Sequence, residues 1–209
     1  MKRFITTLAI LAVAAGSAFA QVSVGGGYLN STKTQGNVKA NAEGFYAGIG
    51  YNYNLAPGLT LSPGLYYSNL TSKDVNSVSI WGINASSEVT EKEHYLTVPV
   101  NLNYGLTLVP DALRLFVYGG PSIQYCLSSK TTASGQIAGW GGTTENDNLK
   151  ATGSTYSPFD VLIGGGVGVD ISNMIRVNAG YNYGILDRDK SDNSVLHRAG
   201  WHLGVSFLF

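Results

Sequence analysis

The sequence predicts an all-β fold: an eight-stranded antiparallel up-and-down transmembrane β-barrel. Three observations predict it. Apolar residues recur at every second position in eight segments, the period of a strand with two different surroundings. The connections between those segments alternate in length, as they do in barrels that cross a membrane. Aromatic residues on the apolar face gather near both ends of the segments and leave Val, Ile, Leu and Ala between them, the pattern of two interfacial girdles. After the first twenty residues no stretch reaches the roughly 18 apolar residues of a membrane helix. A chain that crosses lipid on strands must close into a barrel, because an open sheet edge finds no hydrogen-bond partner in hydrocarbon.

The chain starts with Lys2 and Arg3, an apolar run to Ala15, and Ala18-Phe19-Ala20. These are the three parts of a secretory signal, so residues 1–20 are expected to be removed by cleavage between Ala20 and Gln21. Residues 21–209 then form one barrel domain. Two of the 13 basic residues leave with the signal, so 11 face 13 acids. No basic patch interleaved with aromatics points to nucleic acid. One cysteine, Cys126, allows no internal disulfide and is read as a small strand residue.

The first segment, residues 22–29, sets Val22, Val24, Gly26 and Tyr28 on one face. The second, 44–54, opposes Phe45, Ala47, Ile49, Tyr51 and Tyr53 to Gly44, Tyr46, Gly48, Gly50 and Asn52. The third, 59–71, shows Leu59, Leu61, Leu65 and Tyr67. The fourth, 91–106, opposes Leu96, Val98, Val100, Leu102 and Tyr104 to Tyr95, Thr97, Asn101 and Asn103. The fifth, 114–127, turns Leu115, Val117, Ile123 and Tyr125 outward. The sixth, 158–171, opposes Phe159, Val161, Ile163, Val167 and Val169 to Asp160, Gly164, Gly166, Gly168 and Asp170. The seventh, 175–187, opposes Val177, Ala179, Tyr181, Tyr183 and Ile185 to Arg176, Asn178, Gly180, Asn182 and Gly184. The eighth, 198–209, opposes Ala199, Trp201, Leu203, Val205, Phe207 and Phe209 to Arg198, Gly200, His202, Gly204 and Ser206.

The connections run long (30–43), short (55–58), long (72–89), short (107–113), very long (128–157), short (172–174) and medium (188–197). The short ones carry turn residues: Ala56-Pro57-Gly58, Val109-Pro110-Asp111 and Ser172-Asn173. Short turns are expected on the periplasmic side and long loops outside. The outer girdle is then Tyr28, Phe45, Tyr67, Tyr125, Phe159, Tyr183 and Trp201. The periplasmic girdle is Tyr51, Tyr53, Tyr104, Phe207 and Phe209. Pro63, Pro99 and Pro121 fall inside strands, where a missing N–H predicts bulges or kinks.

Several stretches resemble one family. Tyr95-Leu96-Thr97-Val98-Pro99, Phe116-Val117-Tyr118-Gly119-Gly120-Pro121, Phe159-Asp160 with Gly164-Gly165-Gly166-Val167-Gly168, and Gly180-Tyr181-Asn182-Tyr183-Gly184-Ile185 are similar to strands of the Bacteroidetes outer-membrane β-barrel (porin-like) domain. The resemblance implies a Gram-negative cell-envelope protein in the outer membrane. It implies no defined activity.

An eight-stranded barrel has an interior just filled by side chains. The inward residues Asp160, Asp170, Arg176, Arg198 and His202, with Glu91 and Glu93, are expected to form a paired polar network, because charges away from water need partners. Asp170 and Arg176 are placed to pair. No catalytic, cofactor-binding or metal-binding residue is assigned. His94, His197 and His202 are the only histidines, and Glu91-Lys92-Glu93-His94 is the best local cluster for a rival reading as a lipid-modifying enzyme. A narrow passive pore is the second rival. The leading expectation is a non-enzymatic, monomeric barrel with a structural, adhesive or surface-interaction role. Its partners would be outer-membrane lipid, the barrel assembly machinery and an extracellular protein or surface. Trp81 and Trp140 are the candidate loop contacts, and the C-terminal Phe209 the candidate assembly signal.

Overall fold

The computed structural model describes residues 20–36, 38–80, 83–137, 140–150, 157–188 and 196–209. Among the described residues nine strands follow one another: β1 (Ala20–Gln35), β2 (Val38–Ala56), β3 (Leu59–Ile80), β4 (Ile83–Val109), β5 (Leu113–Ile137), β6 (Trp140–Asp147), β7 (Phe159–Ile171), β8 (Ile175–Gly184) and β9 (Leu196–Leu208). Eight of them close a ring in the order β1-β2-β3-β4-β5-β7-β8-β9, every pair antiparallel, with β9 hydrogen-bonded back to β1. Strand β6 stands outside the ring and pairs with the outer end of β5.

One row of paired residues measures the stagger. It leaves β1 at Ala20, passes Tyr53, Leu61, Leu102, Gly119, Gly165, Tyr181 and Trp201, and returns to β1 at Asn30, ten residues further on. A shear of ten in eight strands tilts them by about 40°. Side chains alternate across the wall as the sequence predicts. Phe45, Ile163 and Val167 are more than half exposed and belong to a continuous apolar belt. Eleven of the twelve girdle residues are exposed on this outward face; Tyr51 is half-buried, with its hydroxyl covered.

The lumen is filled in a complementary way. Large rings point inward from one strand where glycines face them from another. A Cβ on Gly204 would sit 1.9 Å from the Tyr46 hydroxyl. One on Gly180 would sit 2.3 Å from the Tyr118 hydroxyl, and one on Gly168 would sit 2.3 Å from the Phe116 ring. These glycines serve close approach: a barrel this narrow holds an inward ring only where the opposing wall has no side chain.

The short turns lie where the sequence puts them. Gly58 (φ 80°), Asp111 (φ 57°), Ser172 (φ 52°) and Asn173 (φ 53°) take left-handed backbone there. The other end differs from the expectation of loops. The segments 30–43, 72–89 and 128–157 largely continue as strands, so β3 and β4 pair out to Ile80 and Ile83, and β5 pairs with β6 out to Ile137 and Trp140. Most residues on both faces of these extensions are polar, the buried Ser31 and Ser129 included, so no apolar alternation marks them in the sequence.

The prolines interrupt the ladder on one side, where Pro63, Pro99 and Pro121 have no partner on β2, β3 and β4, but they bring no bulge. Register shifts occur at Asn54/Ala56, His94/Tyr95 and Thr107/Val109, none of them at a proline. Pro63, Pro99 and Pro121 keep the register of their neighbours, opposite Val100, Ser122 and Ile163. A missing N–H removes one bond, but a closed ring holds each strand from both sides and leaves it nowhere to slip.

Candidate functional site

Two charge clusters and a chamber between them fill the lumen. At the periplasmic end Arg176 grips Asp170 with both arms of its guanidinium, Nε to Oδ1 at 2.7 Å and Nη2 to Oδ2 at 3.0 Å. Arg176 Nη1 donates to Asn52 Oδ1 at 2.8 Å, and Arg114 donates to Asp170 Oδ2 at 3.1 Å and to the Gly58 carbonyl at 3.2 Å. The Phe116 ring lies 4.6 Å from the Arg176 guanidinium. The expected Asp170–Arg176 pair is therefore present, on adjacent strands and directly opposite. Arg114 joins it as a second cation.

The outer cluster centres on Glu93. Its carboxylate is shared by Arg198 and by Lys33 Nζ at 2.9 Å, while Lys33 also reaches Glu91 at 2.7 Å. Tyr95 is fully buried between two guanidiniums, Arg198 at 4.6 Å and Arg188 at 5.3 Å from its ring. Arg188 Nη1 donates to the Tyr95 hydroxyl at 3.0 Å. Asn148, just after β6, folds back over this cluster and bonds Glu91, Ser129 and Thr131. Glu93 stands three positions beyond Leu96, which pairs with the girdle residues Tyr67 and Tyr125, so it lies outside the girdle. Burial pushes its carboxyl up, but Arg198 and Lys33 outweigh burial and hold it below the ordinary carboxylate range.

Between the clusters lies a chamber of about 160 Å³, walled by Tyr46, Tyr66, Tyr118, His202, Gln124 and Asn178 among others. Tyr118 Oη is 2.8 Å from His202 Nε2, and Asn178 donates to the same hydroxyl at 3.3 Å. His202 thus belongs to the mid-barrel and not to the outer cluster. Asp160 and Arg198 are both buried toward the outer end, but only Arg198 is paired: among the described residues neither carboxylate oxygen of Asp160 meets a hydrogen-bonding side chain, so Asp160 stands outside the paired network expected for it. The network residues divide into three groups instead of one.

The rival enzyme cluster is split by strand geometry. Glu93 points into the lumen, and His94, its neighbour, points out. His94 Nδ1 lies 2.5 Å from the Tyr67 hydroxyl and 3.2 Å from Asn69 Nδ2. Its cross-strand partners are Asn69 and Ser128. His197 packs against Tyr183.

Sequence reasoning placed Lys33 and Arg188 in loops and missed both as members of the outer cluster. Only the extension of β1 to Gln35 carries Lys33 onto the inward face. Trp81 and the side chain of Trp140 lie outside the described residues, as do residues 1–19 of the expected signal. Cys126 is a buried inward thiol. Phe209 is exposed, and its N–H donates to the Val22 carbonyl at 2.8 Å.

Above the barrel, β3, β4, β5 and β6 continue as a four-stranded sheet. Among the described residues, β3 beyond Thr71 pairs only with β4, and β6 pairs only with β5. Its two outer edges are therefore open in the described structure.

The family model described as "Outer membrane protein beta-barrel domain" matches residues 11–190. No curated protein matches the chain. Among solved structures, Ail of Yersinia pestis is 15% identical, with 91% of this chain and 99% of that one covered and a TM-score of 0.40. Neisserial surface protein A is 14% identical, with 91% and 97% covered and a TM-score of 0.43. The outer membrane enzyme PagL is 9% identical, with 89% and 97% covered and a TM-score of 0.44.

Proposed function

We propose, for a chain that belongs to the outer membrane protein beta-barrel domain family, a role in contact at the cell surface, made through the sheet that β3–β6 raise above the membrane. The observation that carries this reading is the contrast between the two parts of the molecule. Most charges of the lumen are paired within it, whereas the raised sheet presents, among the described residues, two open edges of eight or more residues. Open edges accept an added strand through main-chain hydrogen bonds. Its exposed Ser, Thr, Asn and Gly leave those edges uncovered by bulky side chains.

The reading is of a non-enzymatic monomer. It takes the chain as exported by cleavage after Ala20, delivered by the assembly machinery through Phe209, and drawn from the Bacteroidetes-type branch that its strand motifs resemble. The separation of Glu93 from His94 supports a non-enzymatic role over a lipid-modifying one. The clamps at both lumen ends support surface contact over passive conductance.

The test trims the sheet and spares the barrel. Short turns replace residues 76–85 and 134–143, and a heat-modifiable gel shift checks the fold. Cells displaying the trimmed barrel are expected to lose adhesion to surfaces or to other cells that the intact chain supports. Equal adhesion by trimmed and intact chains would sink the reading. So would a lipid-modifying activity abolished by His94→Ala, or an open-pore conductance in planar bilayers.

A further inference from the structure

The outward face of the raised sheet begins in the lipid headgroup layer, and its charges are unevenly spread. The girdle row Tyr67–Leu96–Tyr125 crosses β3, β4 and β5. The next outward row holds Asn69, His94 and Ser128, and the row above holds Thr71, Lys92 and Lys130. Lys92 is four positions beyond Leu96, about 10 Å higher on a strand tilted about 40°. Headgroups occupy roughly the 5–8 Å beyond the hydrocarbon, and a lysine stem reaches down that far.

Lys92 and Lys130 are exposed and directly opposite each other in the ladder. Like charges in that position repel unless an anion lies between them. Lys130 also meets Glu145 at 2.7 Å, and Lys73 above meets Glu88 at 2.9 Å. Both pairs are exposed and exchange readily for another anion. Glu43 and Asp147 flank the row at its ends. On the opposite wall, formed by β7, β8, β9 and β1, every described Lys or Arg side chain is at least partly buried: Lys33, Arg176, Arg188 and Arg198 all engage luminal partners.

We propose that this wall docks a phosphate-bearing lipid of the outer leaflet, its phosphate held between Lys92 and Lys130 with the His94 ring beneath. The site fixes the orientation of the barrel relative to anionic lipid: one flank gathers it and the other does not. The inference rests on the membrane placement and is independent of what the sheet edges bind.

The experiment uses the full barrel in nanodiscs of phosphatidylcholine, with and without phosphatidic acid, and counts retained lipids by native mass spectrometry. Wild type is expected to retain phosphatidic acid selectively. Loss of about 1 kcal/mol for each lysine near the surface corresponds to about fivefold weaker retention per residue, or about thirtyfold for the pair. Lys92→Gln/Lys130→Gln should show that loss, and Lys92→Arg/Lys130→Arg should restore binding. Lys39→Gln removes an exposed charge on β2, away from the row, and should retain lipid as wild type does. Unchanged retention in the first variant would overturn the proposal, as would an equal loss in the comparator. Displacement of the lipid by matched inorganic phosphate would assign the site to a free anion and overturn lipid docking.

Discussion

Removing the Glu93 carboxylate tests how the outer cluster contributes to the barrel. Glu93 is about 1% exposed and lies between Arg198, which is 5% exposed, and Lys33, whose side chain is 11% exposed. Glu93→Ala deletes the acid that both cations share and leaves Glu91 as the remaining carboxylate on Lys33. Breaking a buried ion pair from one side costs about 3–5 kcal/mol, because the partner's charge stays buried. With a urea dependence of about 2–3 kcal/mol per molar, the unfolding midpoint should fall by about 1–2 M. The assay is urea unfolding of the barrel in lipid vesicles, followed by tryptophan fluorescence and by gel mobility. Glu91→Ala, at a wetter position, should cost about 1 kcal/mol or less. Glu93→Leu combined with Arg198→Met should recover much of the loss, since an apolar pair of similar volume often matches a buried ion pair. A Glu93→Ala midpoint within experimental scatter of wild type would refute the reasoning. So would a double variant no better than Glu93→Ala.

The same carboxylate sets a pH dependence. Its folded value is held below the ordinary 4.5, so its stabilisation is present above that value and is lost as pH falls below it. Unfolding midpoints should therefore drop on acidification below about 4.5 in wild type and drop less in Glu93→Gln. Gly204→Val should destabilise the barrel by about 1–3 kcal/mol or more through collision with Tyr46. Gly142→Ala, with open space around it, should leave the midpoint unchanged. Deleting Phe209 should lower the yield of membrane-assembled barrel more than it lowers the midpoint of what assembles; equal effects on both would remove its role as an assembly signal.

The wall of the barrel was legible because it separates lipid from a packed lumen. Every strand that crosses the membrane repeats that contrast with period two, as Val177, Ala179 and Tyr181 do against Arg176, Asn178 and Gly180. Asp170 and Arg176 could be paired from sequence because one short turn joins their strands. Lys33 and Glu93 could not, because 60 residues separate them and Lys33 sits on a polar extension of β1 whose alternation carries no hydrophobic signal. Arg188 was hidden for another reason: it follows the end of β8 and reaches the lumen mouth from irregular chain. The open sheet edges were equally unmarked. Polar, Ser- and Thr-rich segments read as loops until pairing is seen.

The seam between β1 and β9 joins the first strand to the last, Val24 to Phe207 among its pairs, along the whole length of β9. A cylinder fastened there has no partial version. Until the last strand arrives, every other hairpin can form and yet the wall still has two bare margins that lipid cannot accept. Insertion and closure are therefore coupled in a single late event, with the longest loop in the chain closed at the end. Once closed, that seam is one of eight, and because Ser23 pairs with Leu208 both termini lie at the same end of it, so a tug on either would have to peel it pair by pair from that end. Such a ring is expected to let go slowly, so that its persistence in the membrane is governed by the rate of opening one junction as much as by the depth of the folded state.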